Sequence, residues 1–398
     1  MWIAEKILQA VSTVRTKEMG SFGLDEPLQC PWTERLRHIT WGWYMITMST
    51  GGIALLLHQT PHQFNGLATI GVIVFIFNLV LFVAISISLL YRFVWTPSSF
   101  KSSLTHPTES LFFGTFWLTL ATIISNIQVY GIQSSGPWLT VVVRVLFWVY
   151  AALTYLTAVL QYWHLFSGRS VTLQSFTTAW IVPVFPVMLT GTIASLVAED
   201  QPPSQAISMI VAGTAFQGLG FIVALLMYAN YIGRLMTGGF PDPDTRPAMF
   251  IAVGPPAFTG LALSGMAQVA ISKFPTHYIT GTSSVPTAEV LRVVSVFISI
   301  FLWAVSFWFF SITVLCILTC FRDLTFHLTW WSFIFPNTGF VLATIEIGKE
   351  LGSNAIAVAC SVLTVLIVVI YLLVGTCHIR AIYRGKILWP GKDEDKEE

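Results

Sequence analysis

"RPAMFIAVGPPAFTGLALSGMAQVAIS", Arg246 to Ser272, is apolar enough to lie in a membrane, yet Pro255 and Pro256 stand side by side near its middle. Proline removes a helix hydrogen bond and clashes with the preceding turn, at about 3 kcal/mol or more. A lipid-spanning helix that carries two of them should break there. Broken backbone at membrane depth survives only where it is buried in protein or lines a water-filled cavity. This stretch therefore predicts a bundle of several spans with an interior of its own.

The remaining sequence has the composition such a bundle needs. Of 398 residues, 55% are hydrophobic and only 10% charged, with 15 Trp and 30 Phe. That is too little charge to cover a soluble fold of this size. Apolar runs of about 20 residues, enough to cross a ~30 Å hydrocarbon core, recur at 36–58, 66–90, 109–131, 137–166, 177–198, 205–236, 247–271, 288–320, 328–350 and 353–384. Short turns such as "QTPHQFN" and "IQSSG" join spans 1–2 and 3–4, and longer polar loops join 2–3, 4–5, 6–7 and 8–9. The expected fold is an all-α integral membrane protein of ten transmembrane helices arranged as five helical hairpins.

Three regions follow from this reading: a cytoplasmic segment 1–35, a transmembrane domain 36–384 and an acidic cytoplasmic tail 385–398. In the first, Ile3, Ile7, Val11 and Val14 recur at helical spacing, which suits an interfacial helix, with a disordered tail as the alternative. Of the 20 Lys and Arg, 16 fall in the N-terminal segment, the even-to-odd loops and the C-terminal tail. A Lys/Arg excess marks the cytoplasmic face, so both termini are expected there. The five cysteines have no paired spacing, and neither a metal site nor a cofactor is expected. A net charge of +1 gives no sign of a nucleic-acid partner.

The Pro-Gly pattern repeats. Span 5 reads "WIVPVFPVMLTG", span 7 "MFIAVGPPAFTG" and span 9 "WWSFIFPNTGF", while span 1 carries "MSTGG" at the corresponding depth. Odd spans are thus expected to break at one level and even spans to run straight. Prolines used only to tune packing are the alternative reading. Free N–H groups and half-helix N-termini at such breaks favour anions. The candidate path residues are Ser49, Thr50, Gly51, Pro186, Thr190, Pro256, Thr259, Pro336 and Thr338. Glu346, deep in span 9, either pairs with Lys349 one turn on or serves as a proton-coupling carboxylate. Arg144 either snorkels to the surface or lends positive potential to the path. Arg37, His38 and Arg246 lie at the cytoplasmic ends of odd spans, as a ring that gathers anions or as topology signals. No polar cluster suggests catalysis, so no enzyme is expected.

The stretches "RLRHITWGWYMITMSTGG", "SFTTAWIVPVFP", "FQGLGF", "RPAMFIAVGPPAFTGLAL", "FIFPNTGF…TIEIGK" and "WPGKDED" resemble the tellurite-resistance/dicarboxylate transporter family. The likeness is to its fungal malic acid transport (malate permease) branch, with the plant slow-type anion channels as distant members. It covers residues from about 33 to about 395. The resemblance implies a quasi-fivefold arrangement with the odd helices around a central pore. It also implies assembly as a homo-trimer in the plasma membrane. The implied substrate is a C4-dicarboxylate (malate, with succinate or malonate). Sulfite efflux and slow-type inorganic anion conduction are the alternatives within the family. In the channel relatives a phenylalanine on the ninth helix plugs the pore; "WWSFIFP" matches that segment and puts Phe335 on the gate position, with Phe333 two residues away as the other choice.

The hairpin reading has a direct check. Tags at Met1 and Glu398 should both be inaccessible from outside intact cells, while an epitope in the 272–287 loop should be labelled. External labelling of either terminus would overturn the topology.

Overall fold

The computed structural model describes residues 31–168, 173–279 and 285–389. The N-terminal interfacial helix expected over residues 3–14 lies outside the described residues, as does most of the acidic tail. Trp32–Arg35 forms a single helical turn within a first compact unit that ends at Arg35. Everything below concerns the second unit, from Leu36 onward.

Its principal helices are α1 (Tyr44–Gln59), α2 (Leu67–Trp95), α3 (Phe113–Asn126), α4 (Pro137–Ser167), α5 (Phe185–Val197), α6 (Pro203–Gly238), α7 (Gly254–Lys273), α8 (Thr287–Leu318), α9 (Phe335–Glu350) and α10 (Asn354–Tyr383). There is no strand among the described residues. Among the described residues, seven helical stretches are long and apolar enough to cross a membrane: α2, α4, α6, α8 and α10 alone, and Glu109–Ser134 and Pro243–Lys273 around α3 and α7. By themselves α1, α5 and α9 have 16, 13 and 16 residues. They are short because every odd helix is preceded by a 3-10 lead-in: Trp41–Trp43, Glu109–Phe112, Thr178–Ile181, Pro243–Val253 and Leu328–Phe333. A 3-10 segment climbs about 2.0 Å per residue against about 1.5 Å in an α-helix, so each lead-in extends its span in depth.

Even and odd helices divide the bundle into two layers. In α2 the buried residues Gly71, Asn78, Ile85 and Arg92 recur every two turns, while Ile73, Val80, Ile87 and Val94 are exposed on another face. Seven residues make nearly two helical turns, so one seam faces protein and the other hydrocarbon. The even spans are only 17% to 33% buried, against 72% for Glu109–Ser134 and 89% for Pro243–Lys273. The odd helices pack on one another in the order α1, α3, α5, α7, α9 and back to α1. Each even helix lies across two odd ones: α2 on α1 and α3, α4 on α3 and α5, α6 on α5 and α7, α8 on α7 and α9, and α10 on α9 and α1. Gly352, at a positive φ of 59°, closes the tight turn between α9 and α10, a conformation glycine adopts without a steric cost.

Two expectations about the breaks change. The prolines do not interrupt α-helices in mid-course. Pro186, Pro255 and Pro336 all sit in the first turn of α5, α7 and α9, where a missing N–H breaks no bond. The irregular backbone lies before them, in the lead-ins. "MSTGG" is not a break at all, since Met48–Gly52 runs inside continuous α1. The third span, which carries no proline, changes to a π-helical turn at Ile127–Gly131.

One buried ion pair fastens the lead-in end of the bundle. Arg92 at the end of α2 donates to both carboxylate oxygens of Glu109, at 2.5 and 3.0 Å, and to Ile39 O at 2.6 Å. Both side chains are buried, so losing one partner strands a charge at roughly 3–5 kcal/mol. Glu109→Gln should lower the thermal transition of the purified protein sharply. An unchanged transition would show that the pair is dispensable.

Candidate functional site

Carbonyls of the lead-in segments accept hydrogen bonds from side chains of neighbouring helices, those of Trp41, Ser110 and Trp331 in addition to a backbone N–H. Thr115 Oγ1 on α3 donates to Trp41 O at 2.8 Å and Gln161 Nε2 on α4 to Ser110 O at 2.8 Å. The hydroxyls of Tyr162 (α4) and Tyr228 (α6) donate to Trp180 O at 2.9 Å and Ala252 O at 2.8 Å. Ser306 Oγ on α8 donates to Val253 O at 3.1 Å, and Ser49 Oγ on α1 to Trp331 O at 3.2 Å. Every odd span thus has a lead-in carbonyl capped by a side chain from another helix, which is how irregular backbone persists where water is scarce.

At the level where lead-ins become α-helices there is a cavity of about 10 Å³. All five odd spans line it: Met45 and Met48 from the first, Phe112, Thr115 and Leu118 from the third, Val182 and Phe185 from the fifth, Ile251 from the seventh, and Ser332, Phe335 and Pro336 from the ninth. That volume is about the minimum for one water. No organic anion fits.

Three rings meet at the cavity wall, two of them lining it. Phe335 is 1% exposed and stacks on Phe258 at 5.1 Å between centroids, with Phe185 6.1 Å from Phe335 and 5.8 Å from Phe258. The rings come from α5, α7 and α9. A methyl group built on Gly254 would lie 2.5 Å from Phe185 Cζ, and one on Gly339 would lie 2.4 Å from Phe258 Cε2. Only glycine lets the two rings come so close to the neighbouring helix. Phe333, the other gate choice on the ninth span, instead packs against Phe250 at 5.2 Å and Trp330 at 5.9 Å.

The sequence-derived path residues divide. Pro336 lines the cavity. Thr338 is buried and donates to Ile334 O at 2.9 Å, beside Gly52. Thr190 is fully buried, with no hydrogen-bond partner for its hydroxyl. The Pro186 carbonyl accepts from Tyr150 of α4 at 2.9 Å. Others turn away from the cavity: Thr50 pairs with Tyr371 of α10 at 3.0 Å, and Gly51 faces Thr122 and Asn78. Thr259 donates to Pro255 O at 2.7 Å and accepts from Gln217 Nε2 of α6 at 2.9 Å, which places it against the outer layer. Pro256 belongs to the first turn of α7. With Pro255 it removes two of the N–H groups that such an end leaves free, so the double proline offers an anion fewer amides than the sequence suggested.

The charged candidates are tied to the framework. Arg246 donates to Pro241 O at 2.9 Å, Cys316 O at 3.1 Å and Thr319 Oγ1 at 3.2 Å, which caps the end of α8. The Arg37 guanidinium lies over the Trp95 ring at 4.5 Å, and His38 is in the same 3-10 turn. Arg144 is half-buried on α4. Glu346 is buried with Lys349 Nζ at 3.6 Å, the neutralising pair. Phe185, Phe258 and Ser332 escaped the sequence reading. A signal existed for the first, since Phe185-Pro186 repeats Phe335-Pro336. Ser332 Oγ is buried in the cavity wall without a hydrogen-bond partner.

The profile of the voltage-dependent anion channel family matches residues 38–379. The chain belongs to this family. It is 37% identical over 391 residues to the malic acid transport protein of Schizosaccharomyces pombe, covering 98% of this chain and 88% of that one. A sulfite efflux pump of Trichophyton rubrum is 27% identical over 318 residues, with 78% and 82% covered. An S-type anion channel of Arabidopsis thaliana is 29% identical over 163 residues, 40% of this chain and 22% of that protein. The family and the apolar helices make the chain a multi-pass membrane protein of anion transport.

The position of Thr259 yields a test. Thr259→Val should leave the buried Gln217 amide short of a partner, at about 1–3 kcal/mol. Stability should fall while anion flux per folded molecule stays at the parent level. A selective loss of flux at full stability would return Thr259 to the path.

Proposed function

We propose that this protein carries C4-dicarboxylates, malate foremost and succinate or malonate with it, across the plasma membrane. Ten spans in five hairpins would form a quasi-fivefold transport domain over 36–384, assembled as a homo-trimer with both termini cytoplasmic. The anion passes along the axis of the odd helices, and Phe335 is the gate. The observation that carries the substrate is the likeness to the malic acid transport protein, which extends along nearly the whole of both chains. Support for the route comes from the cavity shared by all five odd spans and shut beside Phe335.

The mechanism follows from what the rings do to hydration. An anion entering from the lead-in side meets methionine, leucine and phenylalanine side chains and would lose its water there with little in exchange. An apolar constriction of this kind blocks ions by dewetting until it widens. Displacing the Phe335 ring joins the cavity to the α-helical half of the ring. Hydroxyls such as Ser332 and Thr190 can then replace part of the hydration shell. Neutral donors hold a dianion loosely enough to release it, which transport requires.

Reconstituted protein should take up labelled malate faster than sulfite or chloride, and Phe335→Ala should raise the flux of malate. Removing a core phenylalanine costs roughly 3–5 kcal/mol, so flux is normalised to folded protein. Sulfite preferred over malate would move the chain to the sulfite branch. Unchanged flux per molecule in Phe335→Ala would reduce Phe335 to a packing residue.

A further inference from the structure

We infer that Phe335 does not close the path alone: Phe258 and Phe185 form a fixed aromatic seat that holds the Phe335 ring in the closed position. The inference rests on the gate reading above and adds two positioning residues to it.

The three rings cross the inner layer in one rotational sense. Phe185 of α5 reaches over Gly254 of α7, Phe258 of α7 reaches over Gly339 of α9, and Phe335 of α9 reaches over Gly52 of α1. The fit is not equal. Methyl groups built at Gly254 and Gly339 would stand 2.5 and 2.4 Å from the rings of Phe185 and Phe258, whereas one at Gly52 would stand 3.4 Å from Phe335 Cδ2. A distance under 3 Å means that a side chain on the neighbouring helix would collide with the ring. A value of 3.4 Å is ordinary van der Waals clearance. Two rings therefore fill space that a Cβ on the neighbouring helix would take, and the third sits at ordinary contact distance from its glycine. Of the three, Phe335 has the most clearance from the neighbouring backbone.

What holds the Phe335 ring is its contact with the other two. Phe258 lies 5.1 Å from Phe335 with 25° between the ring planes, an offset stack, and Phe185 meets Phe335 at 6.1 Å and 58°. Aromatic pairs in these geometries contribute beyond their buried area. If the closed form dominates, flux is proportional to the small open population. Weakening the closed form then raises flux by the same factor as it raises that population. Loss of the Phe258 stack should therefore increase flux by about 3- to 10-fold, the factor that corresponds to the upper part of the range for one aromatic pair.

The test is a double-mutant cycle on full-length protein in proteoliposomes, with labelled malate and chloride as probes and flux normalised to folded protein. Phe335→Ala and Phe258→Ala should each raise both fluxes. Phe258→Ala added to Phe335→Ala should change nothing further, because the ring it held is gone. Phe258→Leu keeps the apolar volume but not the stack, and it should give a smaller rise, which separates ring contact from a cavity defect or misfolding. A rise with Phe335→Ala but none with either Phe258 variant overturns the seat and leaves the gate intact. Multiplying effects in the double mutant would make Phe258 an independent barrier and also overturn the seat. No rise with Phe335→Ala sinks the gate reading and this inference with it.

Discussion

A backbone carbonyl freed inside a hydrocarbon layer must find a donor, because no water is there to supply one and the cost of leaving it unpaired is several kcal/mol. Each odd span has a 3-10 lead-in whose carbonyls take side-chain donors, and those of Trp41, Ser110 and Trp331 accept a backbone N–H as well. The donors come from other helices: Tyr162 and Gln161 of α4, Tyr228 of α6, Ser306 of α8, Thr115 of α3 and Ser49 of α1. Apolar burial cannot drive this assembly, since lipid tails are as apolar as leucine. Close packing and these directed hydrogen bonds hold the hairpins instead. An odd span separated from its neighbours would lose these side-chain donors, which fits the placement of the broken helices in the inner layer and the regular helices in the outer one.

The same constraint fixes the depth of the functional level. Because the 3-10 to α transition falls at the start of every odd helix, the five transitions bring side chains to one cavity. The first-turn residues Phe185 and Phe335 land there with it. At this level a helix has just begun and its side chains lean back toward its start, so rings at these positions project across the inner layer onto the next odd helix. Glycines at 254 and 339 then decide how near a ring can come. The close approach of the rings is thus a product of helix geometry and two missing methyl groups.

Much of this was legible in the sequence, and the omissions share a cause. Span 328–350 corresponds closely to Leu328–Phe333 followed by Phe335–Glu350, since an apolar run bounded by charge locates a helix well. The repeated Pro-Gly pattern marked the right spans for irregular backbone. It did not show on which side of the proline the irregularity lies, because an apolar run looks alike in 3-10 and α geometry. "WGW" and "ESLF" contain no proline, so the lead-ins of the first and third spans left no mark. The carbonyl caps join residues as far apart as Ser49 and Trp331, and such pairs become visible only once helices are placed. The pairing of Thr259 was hidden for a similar reason: a hydroxyl next to a break can face either layer, and its partner Gln217 lies 42 positions away.

The disposition of positive charge completes the picture of the barrier. Arg92 is spent on Glu109, and Arg292 donates to Glu350 at 2.9 Å while Gln268 approaches the same carboxylate at 2.7 Å. Arg246 keeps its charge but donates to carbonyls at the end of α8, where the helix dipole places partial negative charge, so its field toward an approaching anion is partly cancelled. An arginine fixed on the axis would draw a dianion in and then retain it. Cations that are paired at the ends of the spans, with hydroxyls and apolar rings between them, leave hydration as the main quantity that the inner path controls. With Phe335 as the proposed gate, the rate of passage would depend on how often its ring moves aside, and charges at the span ends would adjust only how many anions wait for it.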